Sequence, residues 1–333
     1  MKNNDSSKYT FITHDIIDAT FNIASEEYLL ERCTENVVYL WRNQSAVIVG
    51  VNQNTLKEVD TDYTNANEIQ VVRRISGGGA VYHDLGNICF TVVTDYEEKL
   101  DNIEEFTRPV TEFLNSLGLD SAVTGRNDIM ANGYKISGMA QCVKGGRIMR
   151  HGTLLFDTDV TVLEKALKPN PLKLKAKGID SVRKRVANVK NLLNVNMSVE
   201  EFFDKFRAYM AKGKNQRDFT QSEINQINDL KEKKFATYEW NVGKSSVAQF
   251  NRSAKFDFGC VDVSFDVEKG YVQNFNIFGD FFSRGDLTEF ISKFNGIKPN
   301  KVDITNALQG VENYILGADA QEITEKLFFG DEL

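Results

Sequence analysis

The segment that decides the fold is Asn127–Phe156, which reads NDIMANGYKISGMAQCVKGGRIMRHGTLLF. Two turn-forming pairs, Asn132-Gly133 and Gly145-Gly146, divide it into three apolar stretches of strand length. Both central residues of a two-residue hairpin turn need φ > 0, which Asn-Gly and Gly-Gly pairs adopt readily. The sequence therefore predicts a β-meander with strands over 127–131, 134–143 and 147–156.

The first turn also predicts which side chains share a face of the meander. With Asn132-Gly133 as the turn, Asp128 lies opposite Ser137, and Lys135 becomes its diagonal neighbour on the same face. A compact ammonium beside a carboxylate suits a substrate carboxylate that must meet a phosphate. Asp128 is also a candidate Mg²⁺ ligand, with water and phosphate completing the coordination. The alternatives are a solvent-facing lysine and an ordinary salt bridge.

The second turn of the meander places His151. It pairs Ala140 with His151, which puts His151 on the opposite face from Lys135 unless a bulge at Gly138 reverses the assignment. No Ser or Cys stands near His151 at a spacing typical of a nucleophile.

Helical and strand patterns are mixed along the rest of the chain. The predicted strands are Val37–Trp41, Ala46–Val51, Ile69–Ile75, Asn87–Thr94, Phe256–Val267 and Tyr271–Phe278. Helices are predicted over 16–33 and Ile103–Leu117, and after caps at Ser198, Thr220, Asp286 and Asp319.

Length and composition indicate a globular protein of two domains, because one domain holds about 100–200 of the 333 residues. A junction over 236–244 separates a predicted first domain, 1–243, from a small α+β domain, 250–333. No apolar run approaches the roughly 20 residues of a membrane span, and the polar N-terminus lacks a signal sequence. We therefore expect a cytoplasmic protein without a membrane partner, and the net charge of −7 argues against general nucleic-acid binding.

Cysteine and histidine usage argues against a metal or redox site. The four cysteines are scattered without C-x-x-C spacing, and the chain has only three histidines. Cys142 is the only cysteine near the meander, and packing explains it better than a nucleophilic role.

A glycine-rich segment, Arg73–Asp84 (RRISGGGAVYHD), is the sharpest local feature. Three consecutive glycines allow the backbone to approach a ligand and to turn several N–H groups toward an anion. The two arginines before them can hydrogen-bond phosphate or carboxylate. The segment matches neither the P-loop nor the dinucleotide-binding fingerprint, and a glycine-rich hairpin turn with surface arginines remains an alternative.

A basic segment contrasts with the acidic average. Lys165–Lys190 contains nine basic residues and one acid, a local net charge of +8. It predicts either a specific anionic partner or a solvated loop.

Several motifs together resemble the lipoate–protein ligase A family, in the order and spacing of that family. They are Arg73–Asp84, Leu85–Phe90 (LGNICF), Gly125–Asp128 (GRND), Lys135–Gly138 (KISG), His151–Leu155 (HGTLL) and Lys177–Val186 (KGIDSVRKRV). The resemblance implies an α+β fold, with a biotinyl/lipoyl ligase-like catalytic domain that has a mixed β-sheet, followed by a small α+β accessory domain. It also implies an enzyme that activates lipoate with ATP and Mg²⁺ and transfers it to a carrier lysine. The implied carriers are 2-oxoacid dehydrogenase E2 subunits and the glycine cleavage H protein, and octanoate is an open alternative to lipoate.

The resemblance also implies roles for individual residues. Those matching ATP-binding positions are Arg74, Gly79, Ala80, Val81, Tyr82 and Lys135, of which Lys135 is the catalytic candidate. Those matching the lipoyl pocket are Ser76, Gly77, Gly78, His83, Lys135 and His151. Lys177, Gly178, Arg183 and Arg185 match a segment that closes over the adenylate.

Two alternatives stay open from the sequence. A transferase of the same fold would need no ATP, but it would use a cysteine upstream of the lysine, and Ser116–Tyr134 contains none. The second alternative is a non-catalytic protein that binds lipoyl carriers. Such a protein would not need the set of Arg74, the glycine-rich segment and Lys135, which is intact here. The G-R-G-R-x-G-R run of biotin ligases is absent.

Overall fold

The computed structural model describes residues 8–96, 103–125, 127–168, 186–243, 248 and 250–328. The strands are β1 (Tyr9–Thr13), β2 (Asn36–Arg42), β3 (Ala46–Val49), β4 (Gln70–Arg73), β5 (Val81–His83), β6 (Asn87–Asp95), β7 (Ser121–Thr124), β8 (Asp128–Ala131), β9 (Tyr134–Lys144), β10 (Arg147–Leu155), β11 (Asn215–Gln216), β12 (Phe250–Phe256), β13 (Gly259–Glu268) and β14 (Tyr271–Gly279). The α-helices are α1 (Ala19–Arg32), α2 (Thr55–Glu58), α3 (Thr61–Ala66), α4 (Ile103–Ser116), α5 (Val160–Ala166), α6 (Val199–Ala211), α7 (Gln221–Leu230), α8 (Thr288–Ser292), α9 (Lys301–Leu308) and α10 (Ala320–Ile323). Single π-helical turns cover Lys231–Phe235, Glu239–Gly243 and Thr324–Phe328.

The predicted meander forms part of an eight-stranded mixed sheet in the order β11-β1-β2-β6-β10-β9-β8-β7. Strands β11, β1 and β2 pair in parallel, and the others pair antiparallel. A small sheet, β4-β3-β5, carries the glycine-rich segment between β4 and β5. A third sheet, β12-β13-β14, lies in the C-terminal part of the chain. The α+β prediction with a mixed sheet is confirmed.

Helices cover both faces of the large sheet. On one face α4 and α6 pack aromatic and aliphatic side chains, among them Phe113 and Phe206, against Phe90 and Leu40 of the sheet. On the other face α1 and α7 cover β2, β6 and β10. The Asp18 cap of α1 and the capping boxes at Ser198 and Thr220 form as predicted, because each depends on side chains within one helical turn.

The register of the meander contains a bulge that the sequence pattern does not predict. Met130 pairs with Lys135 as expected, but Ile129 pairs with Ser137, so Ile136 is an extra residue. Asp128 therefore pairs with Gly138, and its predicted pairing with Ser137 is wrong. The extra residue lets the fully buried Ile136 side chain enter the same apolar cluster as Ile129.

This bulge brings Lys135 and His151 to one face of the sheet. A Cβ placed on Gly138 would lie 2.9 Å from the Lys135 Nζ. Gly138 and Ala140 alternate onto the same face, and Ala140 pairs with His151. The predicted placement of His151 on the opposite face is therefore wrong, although the irregularity lies at Ile136 rather than at Gly138.

The C-terminal part contains more elements than the sequence pattern predicts. The single strand predicted over Phe256–Val267 is two strands, because the chain turns between Phe256 and its partner Gly259. The helix predicted after Asp286 is short in the structure and ends at Ser292. A further helix, α9 (Lys301–Leu308), is not among the predicted elements. Phenylalanine side chains dominate the core of this part, and Phe275 and Phe294 stack with centroids 3.9 Å apart.

Candidate active site

The glycine-rich segment leaves β4 and passes beside the C-terminal part before it enters β5. Gly78 has φ +91°, a backbone conformation that favours glycine. A Cβ on Gly77 would lie 2.4 Å from the Phe281 carbonyl oxygen, so only glycine fits there. Space around Gly79 is open, since a Cβ there meets nothing within 4 Å. The loop is therefore closely packed at Gly77 and accessible at Gly79.

Arg74 lies beneath this loop and holds its shape. Its Nη2 donates to the carbonyls of Gly77 at 2.6 Å and Gly79 at 2.9 Å. Its Nε donates to the Ser76 hydroxyl at 3.0 Å, and its Nη1 to the Ile48 carbonyl at 3.1 Å. Burial lowers the pKa of Arg74 to about 10, so the guanidinium is still charged at neutral pH. The loop thus surrounds a fixed positive charge.

Arg73 has a different role from the anion-binding one predicted for both arginines. Its fully buried guanidinium donates to backbone carbonyls, including Gln53 at 2.6 Å and Trp240 at 2.9 Å. It also donates to the Thr55 hydroxyl at 2.6 Å. Arg73 therefore links the turn after β3 to the π-helical turn at 239–243 through hydrogen bonds. The prediction that Arg73 contacts a ligand is wrong.

Ser76 and His151 meet although they are far apart in the sequence. The Ser76 Oγ lies 2.7 Å from the His151 Nε2. The His151 Nδ1 lies 2.8 Å and 2.9 Å from the two carboxylate oxygens of Glu26. The sequence spacing indicates no Ser near His151, and it does not distinguish Glu26 from the other acids of α1. The one-turn spacing of Asn22 and Glu26, which places both on one face of the helix, is the signal that could have found it.

His83 lies beside this group as a neutral imidazole. Burial, with the nearby positive charge of Arg74, lowers its pKa to about 3. Its Nδ1 is 3.1 Å from the Asn43 side-chain nitrogen, and the Cys89 Sγ is 3.6 Å away. Burial also raises the pKa of the Cys89 thiol well above its usual range. Neither side chain is poised as an acid, a base or a nucleophile.

Lys135 and Asp128 lie on one face of the meander as predicted, and they form the salt bridge that the sequence left open as an alternative. The Lys135 Nζ lies 2.7 Å from the Asp128 Oδ1, and both side chains are largely buried. Because the bulge turns Lys135 toward Gly138, the amine points to the same side of the sheet as His151 and the glycine loop. Among the described residues no group of three or more His, Cys, Asp or Glu is arranged to hold a metal ion.

A cavity of about 480 Å³ adjoins the loop. Its apolar lining comes from the large sheet, from α4 and from the C-terminal part, and includes Phe106, Met139, Ala140, Phe258, Phe282 and Leu316. The Phe282 ring lies 3.5 Å from the position of a Cβ on Gly78, and Ala140 lies 3.9 Å from it. Ala140 and Phe282 therefore lie between the cavity and Gly78, but no residue of the glycine-rich segment lines the cavity itself. Its wall also contains the polar residues Asn127, Gln141, Arg150 and Asp257.

Of the remaining predicted site residues, some follow the glycine loop in the described part of the chain and the others lie outside it. Tyr82 is buried, and its hydroxyl donates to the Ser45 hydroxyl at 3.2 Å, whereas Ala80 and Val81 are partly exposed. The predicted closing segment with Lys177, Gly178, Arg183 and Arg185 lies outside the described residues, as does most of the basic stretch.

An apolar cavity beside a cationic glycine loop and a partly buried lysine is typical of an enzyme that binds a ligand with an apolar chain and an anionic end. Residues 18–211 match the lipoyl protein ligase A/B catalytic domain, and residues 245–327 match the bacterial lipoate protein ligase C-terminus. The chain belongs to the lipoate–protein ligase family.

Two curated relatives cover nearly the whole chain. Lipoate–protein ligase 1 of Staphylococcus aureus is 40% identical over 307 residues, which are 90% of this chain and 93% of the relative. The lipoate-protein ligase LplJ of Bacillus subtilis is 38% identical over 305 residues, 89% of this chain and 92% of the relative.

Solved structures share the fold. LipL1 of Plasmodium falciparum in complex with lipoate has a TM-score of 0.78 at 24% identity, covering 95% of this chain and 98% of that one. A bipartite lipoate protein ligase of Thermoplasma acidophilum, from a structural analysis of the ligase and its E2 lipoyl domain, has a TM-score of 0.62 at 28% identity. The match covers 74% of this chain and 99% of that one. A lipoate-protein ligase A bound with ATP has a TM-score of 0.58 at 28% identity, with coverage of 72% and 99%.

None of the helices in the described ranges combines the length and apolarity needed to cross a membrane.

Proposed function

We propose that the chain is an ATP-dependent lipoate–protein ligase. It converts lipoate and ATP to lipoyl-adenylate and pyrophosphate, and then transfers the lipoyl group to a carrier lysine with release of AMP. The observation that carries this proposal is the combination of the loop around Arg74 with the Lys135–Asp128 pair, in a chain 40% identical to a lipoate–protein ligase.

The first step requires two anions to meet. The carboxylate of lipoate must approach the α-phosphate of ATP, and their repulsion opposes the reaction. Arg74 supplies a fixed positive charge below the loop, and Lys135 supplies a second on the facing strand. Cationic groups that are already in place lower the barrier because they do not reorganise during the reaction.

We assign the nucleotide to the open part of the glycine loop. Arg74, Gly79, Ala80, Val81, Tyr82 and Lys135 are its proposed ligands. The space around Gly79 and the partial exposure of Ala80 and Val81 support this assignment. Tyr82 contributes through its backbone, since its ring is buried and its hydroxyl is bonded to Ser45.

We assign lipoate to the Ser76–His151 side of the loop and the adjoining cavity. Ser76, Gly77, Gly78, His83, Lys135 and His151 are the proposed ligands. The support is the cavity, which shares Ala140 and Phe282 with the surroundings of Gly78 and has apolar residues in its wall that suit an aliphatic chain. Octanoate shares this chemistry and stays an alternative acyl substrate.

We propose that Mg²⁺ accompanies the nucleotide, with Asp128 as the carboxylate that would hold it. Asp128 offers one carboxylate, and Mg²⁺ commonly takes one or two carboxylates together with substrate phosphates and water. When bound, the cation neutralises phosphate charge.

The proposed partners are lipoyl carrier domains, namely E2 subunits and the glycine cleavage H protein. The T. acidophilum ligase, which was analysed together with an E2 lipoyl domain, supports the class of partner.

We also propose that the catalytic domain spans 1–243 and the accessory domain 250–333. The segment with Lys177, Gly178, Arg183 and Arg185 is proposed to close over the adenylate. The cytoplasmic location stays a prediction.

The cysteines disfavour the ATP-independent transferase. Burial raises the pKa of Cys142 to about 11, and it also raises the pKa values of Cys33 and Cys89. At neutral pH these groups are thiols, and the thiol is a poor nucleophile.

Mass spectrometry of a purified carrier domain tests the proposal. Incubation with the protein, lipoate, ATP and Mg²⁺ should add one lipoyl group, and omission of ATP should prevent it. Transfer from an octanoyl-carrier without ATP would favour the transferase. Binding of the carrier without modification under any of these conditions would favour the non-catalytic alternative.

A further inference from the structure

A buried hydrogen-bond chain links helix α1 to the glycine loop. Its centre is Glu26, whose side chain is fully buried. The carboxylate accepts from the Thr91 hydroxyl at 2.6 Å and contacts the His151 Nδ1 at 2.8 Å. Thr91 and His151 lie directly opposite each other on β6 and β10, so the sheet itself directs both side chains at Glu26.

The donors of this chain can be assigned from the chemistry of the groups. A carboxylate only accepts, so the His151 Nδ1 must carry a hydrogen. Arg74 only donates, so the Ser76 hydroxyl accepts from Arg74 and has its own proton available for the His151 Nε2. All members then donate in the direction of Glu26: Arg74 to Ser76, Ser76 to His151, and His151 to Glu26.

A second branch ends at the same carboxylate. Trp41 donates through its indole nitrogen to the Thr91 hydroxyl at 3.2 Å, and Thr91 donates to Glu26. The negative charge of Glu26 also acts on Arg74, where it opposes the effect of burial that lowers the pKa. The two ends of the chain are thus coupled both by hydrogen bonds and by charge.

The arrangement of Ser76, His151 and Glu26 resembles a catalytic triad, but two features argue against a nucleophilic serine. Ser76 is only 1% exposed, and its hydroxyl already accepts a hydrogen bond from Arg74. A nucleophile needs an accessible oxygen with a lone pair aimed at the substrate. The chain therefore orients groups rather than forming a bond to the substrate.

We infer that Glu26 is a positioning residue for the adenylation step. It holds His151 in the Nδ1–H form, so that His151 accepts from Ser76, and Ser76 in turn orients the Arg74 guanidinium that holds the carbonyls of Gly77 and Gly79. The effect on rate rests on the proposed ligase function. The histidine form is a property of the protein itself and is independent of that function.

Nitrogen NMR of the full chain with ¹⁵N-labelled histidine tests the inference directly. The chain has only three histidines, and a His151→Gln variant assigns the signals of His151. In the wild-type protein we expect a protonated Nδ1 and an unprotonated Nε2 for His151. An Nε2–H form in the wild-type protein would overturn the inference without any variant.

The Glu26→Gln variant extends this test to the rate. The amide no longer enforces one form, so we expect a mixture of the two His151 tautomers. We also expect pyrophosphate release to fall by ~10–100-fold, by analogy with the loss seen when the partner that orients a metal-binding histidine is removed. Transfer from pre-formed lipoyl-adenylate to the carrier should fall much less.

Glu27→Gln is the matched control. Glu27 is the adjacent buried acid of α1, but it pairs with Lys234 at 2.6 Å instead of His151. This variant should keep the wild-type His151 signals and the wild-type rate of pyrophosphate release. Equal tautomers and equal rates in both variants would overturn the role of Glu26, and so would a covalent acyl-Ser76 species in intact-protein mass spectra. If the wild-type protein releases no pyrophosphate, the ligase proposal fails while the NMR result still decides the tautomer.

Discussion

The two faces of the large sheet are built in different ways. Under α4 and α6 the buried side chains are apolar, and Phe113, Phe202 and Phe206 form a contiguous aromatic cluster. Under α1 the buried side chains include Asn22 and Glu26. Asn22 is linked to His83 through Asn43, and Glu26 contacts His151 directly. Apolar side chains stabilise both faces, and the α1 face carries in addition a buried polar network, whose cost in stability a functional site can justify.

Replacing an aromatic residue on the apolar face should have the largest effect on stability. Phe206 is fully buried, and its ring centroid lies 5.0 Å from that of Phe113. We expect Phe206→Ala to lower the free energy of unfolding by about 3–5 kcal/mol because it leaves a cavity. Urea denaturation measures this loss. The adenylation rate of the folded fraction should be unchanged, and a large fall in that rate would show that the two faces are not separable.

On the polar face the largest effect should be on activity. We expect Lys135→Ala to reduce pyrophosphate release by at least ~10²–10³-fold, as for the loss of one preorganised charge. Lys144→Ala is the matched control, since Lys144 lies at the other end of β9 and is exposed, with its amine paired to Glu31. Normal activity of Lys135→Ala, or an equal loss in both variants, would remove the central assignment.

The glycine loop allows a smaller and more local comparison. A Cβ at Gly77 would meet the Phe281 carbonyl, whereas a Cβ at Gly79 meets nothing. We expect Gly77→Ala to destabilise the protein by about 1–3 kcal/mol. Gly79→Ala should change stability by less than about 0.5 kcal/mol while raising the KM for ATP. Thermal unfolding and ATP titration separate the two effects, and equal melting temperatures would contradict the close contact at Gly77.

The smallest expected effect, within one pH unit below 6.5, is a dependence of stability on pH. Burial lowers the pKa of His14 to about 4, below its unfolded value near 6.5. The unfolded chain therefore binds more protons below pH 6.5, so stability is complete above this pH and decreases toward pH 4. Over the first pH unit the loss from this residue stays below about 1.4 kcal/mol. His14→Gln should flatten the dependence of the urea midpoint, and an unchanged slope would contradict the assignment.

Local chemistry made much of the fold predictable from the sequence. The Asn132-Gly133 and Gly145-Gly146 turns and the caps at Asp18, Ser198 and Thr220 act through neighbours within a few residues. Features decided by tertiary packing were not predictable in the same way. The bulge at Ile136 forms because a distant apolar cluster accepts that side chain.

The candidate site shows the same division. The shared face of Lys135 and Asp128 followed from strand alternation and is confirmed, whereas the register behind it was wrong and the salt bridge was only an alternative. The separate roles of Arg73 and Arg74 could not be predicted, because the two residues are identical and adjacent in the sequence. Their roles depend on which backbone carbonyls each guanidinium reaches in the folded chain. Glu26 could not be singled out because Glu27 stands beside it in α1, and only the tertiary structure decides which of the two acids reaches His151.

A crystal structure with lipoyl-adenylate bound tests the central claim most directly. The account predicts that the Lys135 amine and the glycine loop around Arg74 contact the same acyl-phosphate group from two sides. An electron-density map that shows the Lys135 amine in solvent, away from the nucleotide, would contradict it.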